Sequence, residues 1–210
     1  IETWARLLEY PAPKFRRVAL DIEVFTPPIE IEGKLTFRVP DPREAAYQVL
    51  CAALLGSDGK KRILLLKRRQ VREGTAKIPS DVNVEYYESE EKLLLAVFDA
   101  LWDYPFVATF NGDDFDLRYL WHRAQKLGIR RRVPIELGRK VCLLNYGVHI
   151  DLYKFFFNKS IQIYAFGQKY RDVTLDEVGK ALIGLTKLEL TKGLNDLTYT
   201  ELALYCLRDA

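Results

Sequence analysis

The stretch Val18-Ala-Leu-Asp-Ile-Glu-Val-Phe25 is a short apolar run interrupted by two acids, and Pro27-Pro28 just beyond it must end any strand. Side chains alternate across a strand, so Asp21 and Glu23, two apart, share one face. Faces in the middle of a sheet are mostly apolar, and two adjacent buried acids would cost roughly several kcal/mol unless a cation lies between them. A metal site resolves that conflict. An edge strand with its polar face in water resolves it too, and on this segment alone the edge strand is the simpler reading.

Working outward, Tyr47–Leu55 and Arg62–Leu66 are strand-like runs joined by Gly56-Ser-Asp-Gly59, a hairpin signal. Ser89 caps a helix running to about Trp102, with Glu90 and Glu91 in its first turn. Phe106-Val-Ala-Thr-Phe110 is a buried-type strand that turns at Asn111-Gly112 into a helix over Asp114–Leu127, closed by Gly128. Val148–Tyr153 predicts another strand. Thr174-x-x-Glu177 and Thr198-x-x-Glu201 are capping-box patterns that open helices near Leu175–Ile183 and Tyr199–Arg208. A hairpin followed by strands alternating with helices predicts an α/β fold, a mixed sheet flanked by helices.

The bulk numbers narrow the chemistry. A chain of 210 residues, 49% hydrophobic and 29% charged, suits one domain able to bury a full core. No apolar run approaches the roughly 18 residues that a membrane span needs, and no signal-peptide pattern opens the chain. It starts at Ile1 without a methionine, which suggests a piece of something longer. Scarce Asn and Gln beside abundant Lys, Arg and Glu give a thermophile-like composition. The net charge of +3 is too small to argue from, although basic clusters occur at Lys60-Lys61-Arg62, Lys67-Arg68-Arg69 and Arg130-Arg131-Arg132. Cys51, Cys142 and Cys206 lack C-x-x-C spacing, which argues against zinc or a disulfide framework and fits a reducing cytoplasm. Only His122 and His149 are available for a Ser-His or Cys-His pair, and neither sits in a nucleophile motif. Carboxylates with metal ions are the tools left for an enzyme.

Further acids lie in Asn111-Gly-Asp-Asp-Phe-Asp116, where helix capping explains some of Asp113, Asp114 and Asp116; Asp116 comes a turn in and is not needed as a cap. Tyr205 and Asp209, four apart on the last helix, share a face. In order and context these pieces resemble a known family. Asp21-Ile-Glu23 is similar to the first exonuclease motif of family B DNA polymerases. Asn111-Gly-Asp-Asp-Phe115-Asp116 resembles the second, Asn-x-x-x-Phe-Asp, and Tyr205-Cys-Leu-Arg-Asp209 the third, Tyr-x-x-x-Asp. His149-Ile-Asp-Leu-Tyr and Ile163-Tyr-Ala-Phe-Gly resemble archaeal replicative polymerases, more the crenarchaeal kind, and the likeness runs from about Arg16 to the end.

The resemblance implies a ribonuclease H-like fold and a proofreading 3′→5′ exonuclease domain over residues 17–210, with residues 1–16 a lead-in from a preceding domain. It implies two divalent ions, Mg²⁺ or Mn²⁺, on Asp21, Glu23, Asp116 and Asp209, with Asp21 bridging, and Tyr205 orienting the attacking water. Asn111 and Phe115 would hold the 3′-terminal nucleotides, and Thr174 with Leu175 would steady the primer end, although a helix cap accounts equally well for Thr174. Many relatives carry Thr after the Glu of the first motif, and Val24 here puts that DNA contact in doubt. Asp209, next to last, stands at a helix end expected to fray. The implied partners are a single-stranded DNA 3′ end and the polymerase domain of the parent chain. The chain is expected to be monomeric, cytoplasmic and nucleoid-associated, with no membrane. A free-standing exonuclease of the same fold, or a catalytically silent DNA-binding domain, would share much of this pattern.

Overall fold

In the computed structural model, which describes residues 14–31, 34–129, 131–188, 190 and 192–210, the acid-bearing run becomes a central strand, β1 (Arg17–Val24). The edge-strand alternative therefore fails. Most of the expected lead-in, residues 1–13, lies outside the described residues, as does Arg130 of the third basic cluster. A small two-stranded ribbon, β2 (Pro28–Ile31) and β3 (Lys34–Phe37), follows. The predicted hairpin forms β4 (Val49–Gly56) and β5 (Lys61–Leu66), then come β6 (Val82–Tyr87) and helix α1 (Glu90–Asp103). Strand β7 (Phe106–Thr109) leads into α2 (Asp116–Lys126); β8 (Ile135–Leu137) and β9 (Cys142–Leu144) pair with each other before β10 (Val148–Asp151). The chain finishes through α3 (Leu152–Phe157), a π-helical turn at Ile161–Ala165, α4 (Leu175–Ile183), a 3₁₀ turn at Leu194–Asp196 and α5 (Tyr199–Asp209).

The six-stranded sheet runs β10-β7-β1-β4-β5-β6. Strand β1 is antiparallel to β4 and parallel to β7, and β7 is parallel to β10. This mixed sheet with helices on both faces agrees with the expected ribonuclease H-like class. Alternation along β1 sends Val18, Leu20, Ile22 and Val24 into a core shared with Leu93, Val97 and Phe98 of α1 and Leu117 and Leu120 of α2. The opposite face packs Leu50, Cys51 and Ala53 of β4 against Leu202, Ala203 and Cys206 of α5. Asp21 and Glu23 project onto this second face, beside Ala53 and Cys51, their partners across the ladder. The β1–β4 register shifts between Glu23 and Val24, a bulge of the kind that re-aims side chains next to sites.

Two anchors locate the helices. Glu90, expected as a favourable charge at a helix start, is buried; it accepts both Arg123 Nε (2.8 Å) and Nη2 (2.6 Å) and the Val49 amide (2.8 Å), so one carboxylate ties α1, α2 and β4 together. Thr198 and Glu201 complete the predicted capping box of α5. Two further amides of that helix, on Tyr199 and Thr200, donate to the carbonyls of Arg72 and Glu73. Gly74 (φ 94°) makes this docking possible, because a Cβ there would lie 2.3 Å from Thr200 Oγ1 and 2.4 Å from Thr198 Oγ1.

Three expectations need correction. The strand predicted over Val148–Tyr153 stops at Asp151, whose carboxylate caps α3 through the Tyr153 amide. Helix α2 begins at Asp116, not Asp114, so Asp116 stands at the first helical position rather than a turn in. Thr174 caps α4 through the Glu177 amide, but the reciprocal arm of its predicted box is absent. All three cysteines are free and buried, and among the described residues no helix is long and apolar enough to cross a membrane.

Candidate active site

Four segments far apart in the chain meet above the second face of β1. That strand presents Asp21 and Glu23; the turn after β7 presents Asp116, whose Oδ1 accepts the Ile22 amide at 3.2 Å between the two strand acids. Helix α5 lies across the same face and brings Tyr205 and Asp209. The fourth segment, the loop between α4 and α5, brings Lys187, whose Nζ lies 2.5 Å from Asp209 Oδ2 and 5.9 Å from the centre of the Tyr205 ring.

The electrostatics follow from crowding like charges in a sheltered place. Burial pushes the Asp21 carboxyl well above its usual pKa, and the charges of Asp116, Glu23 and Asp209 push it further. Burial and then Asp209 raise Glu23 to about 8, with Lys187 opposing. Burial raises Asp116 to about 7, although its own amide and that of Ile22 hold it down in part. Burial alone would lower the Lys187 ammonium; its hydrogen bond to Asp209 and the neighbouring charges outweigh this and raise it. The Tyr205 phenol, walled in beside Glu23, is pushed up to about 12. The Cys206 thiol donates to Asp21 Oδ2 at 3.4 Å.

These groups suit divalent cations in kind. They are hard oxygen donors whose mutual repulsion calls for positive charge, and Asp209 Oδ1 is buried with no hydrogen-bond partner. The site also has the positive charge of Lys187 within it. Among the described residues, no three acidic, thiol or imidazole groups close around one point as a ligand set, so side chains would have to turn to complete one.

The predicted nucleotide-binding residues divide. Asn111 and Phe115 lie on the turn that carries Asp116; Asn111 adopts a left-handed φ of 70°, and the Phe115 ring packs 5.7 Å from that of Tyr119 beside a cleft lined by Arg38, Arg43 and Arg118. Thr174 and Leu175 lie elsewhere, at the start of α4. The Thr174 hydroxyl serves the helix cap, while Leu175 lines an apolar groove of about 750 Å³ with Phe110, Leu152, Phe156, Lys187 and Asp209. Sequence reasoning missed Lys187, because it sits in an irregular loop where neither periodicity nor capping marks it. It offered Asp113 only as a helix-cap candidate and gave Asp151 no role; both prove to be buried and hydrogen-bonded to backbone amides of other segments.

Comparison with known proteins gives a consistent answer. The family described as DNA polymerase family B, exonuclease domain, matches residues 5–165. DNA polymerase 1 of Saccharolobus solfataricus is 44% identical over 209 residues, covering 99% of this chain and 23% of that protein. DNA polymerase 1 of Sulfolobus acidocaldarius is 42% identical over 211 residues, covering all of this chain and 23% of the relative. That of Aeropyrum pernix is 40% identical over 208 residues, covering 99% and 21%. The chain thus spans less than a quarter of the length of these relatives.

Proposed function

The chain belongs to the exonuclease domain family of family B DNA polymerases, of the crenarchaeal type, and from that membership we propose that it removes mononucleotides from single-stranded or frayed DNA 3′ ends. The observation that carries the reading is the convergence of Asp21, Glu23, Asp116 and Asp209 on one face of the sheet, where burial first, and for Asp21 and Glu23 the neighbouring acids as well, raises the pKa of three of them. Family B exonuclease domains are metal-dependent, and these four acids are the residues that would hold two ions, Mg²⁺ or Mn²⁺. Bound there, the ions would supply a more acidic water and charge compensation at the departing 3′ oxygen.

The chain's own residues do the rest. Tyr205, with a phenol held to about 12, stays protonated and orients water by hydrogen bonding rather than removing its proton. The Lys187 ammonium offsets the acids and offers a cation to a phosphate. Phe115 stacks on a terminal base of any identity, worth about 1–3 kcal/mol, and Asn111 beside it holds the same nucleotide. Leu175 supports the primer end from the apolar groove; Thr174, engaged in its cap, is the weaker half of that pair. Mispaired ends are selected because they fray at lower cost. The domain serves as the proofreading part of a longer DNA polymerase in the cytoplasm, at the nucleoid, acts there as a monomer, and occupies residues 17–210 behind a lead-in from an N-terminal domain.

A 3′-labelled single strand tests this. The chain should release labelled mononucleotides in Mg²⁺ or Mn²⁺ and none in EDTA, and the Asp21→Ala/Glu23→Ala variant should lose at least about 10³-fold in rate. Binding without release by the unaltered chain would mean a silent DNA-binding domain, and undiminished digestion by the double variant would remove the site assignment.

A further inference from the structure

Six buried or half-buried acids gather around the site and the turn between β7 and α2, and the four that would hold the ions leave Asp113 and Asp151 over. We infer that Asp151, interlocked with Asp113, is a positioning residue that fixes the Asn111–Asp116 turn from beneath and is not a further metal ligand. The inference rests on the exonuclease reading above.

Three of the roughly four lone-pair directions of the Asp151 carboxylate are already taken by backbone amides. Its Oδ1 accepts the amides of Asn111 (2.9 Å) and Tyr153 (3.0 Å), and its Oδ2 accepts the amide of Asp113 (3.2 Å). Between these, the Gly112 amide donates to Thr109 Oγ1 at 3.1 Å. Three successive backbone amides are therefore each held by a side chain from β7 or β10. The left-handed φ of Asn111 (70°) curls the turn so that its amides converge, a concave arrangement that suits an anion, and the chain supplies that anion itself. Gly112 is required by the closeness of this packing, since a Cβ there would stand 2.1 Å from Thr109 Oγ1.

Asp113 returns the bracing from the turn to the strands. Its carboxylate accepts the Cys142 amide of β9 and Lys154 Nζ of α3 (2.6 Å), and lies 3.3 Å from His149 Nδ1 on β10, while its carbonyl accepts Arg118 Nε of α2 at 2.8 Å. His149 Nε2 pairs with Thr109 Oγ1 at 2.8 Å and closes the network. Asp151 and Asp113 are 8% and 4% exposed, so these charge-assisted bonds act in a sheltered medium where they are strong and where leaving one unmade is costly. What they hold is the short run that delivers Asn111, Phe115 and Asp116 to the site.

Backbone hydrogen exchange on the metal-free chain tests the brace without reference to catalysis. Asp151→Asn leaves one acceptor oxygen for three donors, so exchange at the Asp113 amide, and at Asn111 with it, should accelerate at least about tenfold, with β4 and α1 unchanged. With metal, kcat on a single strand should fall about 10–100-fold, as for other residues that orient ligands. Combined with Asn111→Ala, the loss should be less than additive, because both changes act on one turn. Unaltered exchange at Asn111 and Asp113 would overturn the inference. Should Asp151→Asn not fold, Asp113→Asn is read at the Cys142 amide: faster exchange there supports the brace and no change overturns it. An unaltered chain that digests nothing would refute the exonuclease reading, while the exchange pattern would still decide the brace.

Discussion

The two walls of the acid site are built differently. On one side, the Asn111–Asp116 turn has its first three amides tied to Asp151 and Thr109, and Asp116 is bonded to the Ile22 amide of β1. On the other, Lys187 arrives just after α4, where Ile183, Leu185 and Leu188 are exposed at 70%, 48% and 38%, and its own hydrogen bonds are the amide to Asp176 and the ammonium to Asp209. The first wall contributes to the fold as well as to the site. Around Lys187 the second contributes charge and little packing, whereas Leu194 and Leu197 further along the same stretch pack into the core beneath β4. Damage should accordingly show as lost stability on the first wall and as lost rate on the second.

The acids that both walls enclose give the largest expected effect. The folded-state pKa values of Asp21, Glu23 (about 8) and Asp116 (about 7) lie above those of an unfolded chain, so the folded protein binds more protons between them. The contribution of these three acids to metal-free stability should be fullest below about pH 4 and fall, on the order of several kcal/mol in sum, as pH rises through 7 and 8. Thermal melts in EDTA across that range check this, and Mg²⁺ should flatten the slope. A flat profile in EDTA would mean that neither burial nor neighbouring charge raises these carboxyls in the folded chain. Next comes Lys187→Ala, expected to slow digestion about 10–100-fold while leaving the melting temperature in Mg²⁺, where the ions and not the ammonium compensate Asp209, within about 2 °C. A large drop in that temperature would break the comparison, because the loop would then be structural. The smallest is Thr109→Val on the first wall, which strands the Gly112 amide and a His149 ring nitrogen and should cost about 1–2 kcal/mol in urea unfolding. Unchanged stability there would show that the turn is held otherwise.

What was legible in advance had a local cause. Period-two alternation put Asp21 and Glu23 on one face of β1, four-residue spacing put Tyr205 and Asp209 on one face of α5, and the Thr198–Glu201 box marked that helix's start. The start of α2 was misplaced by two residues because Asp113 and Asp114 look like caps, whereas Asp113 turns away to Cys142 and Lys154. Val148–Tyr153 was read as one strand because its apolar pattern is continuous; the break at Asp151 depends on that carboxylate bonding to amides brought from another strand.

By itself, the order of residues determined five of the six strands of the main sheet, the starts of α1, α4 and α5, and the pairs that must share a face, because each depends on geometry within a few residues of backbone. Only the tertiary structure decided that β1 is central and not an edge, that Lys187 stands among the acids, and that Asp151 is occupied by amides while Asp209 Oδ1 is left without a partner. Those outcomes turn on which distant groups compete for one oxygen, and such competition exists only once the chain has closed on itself.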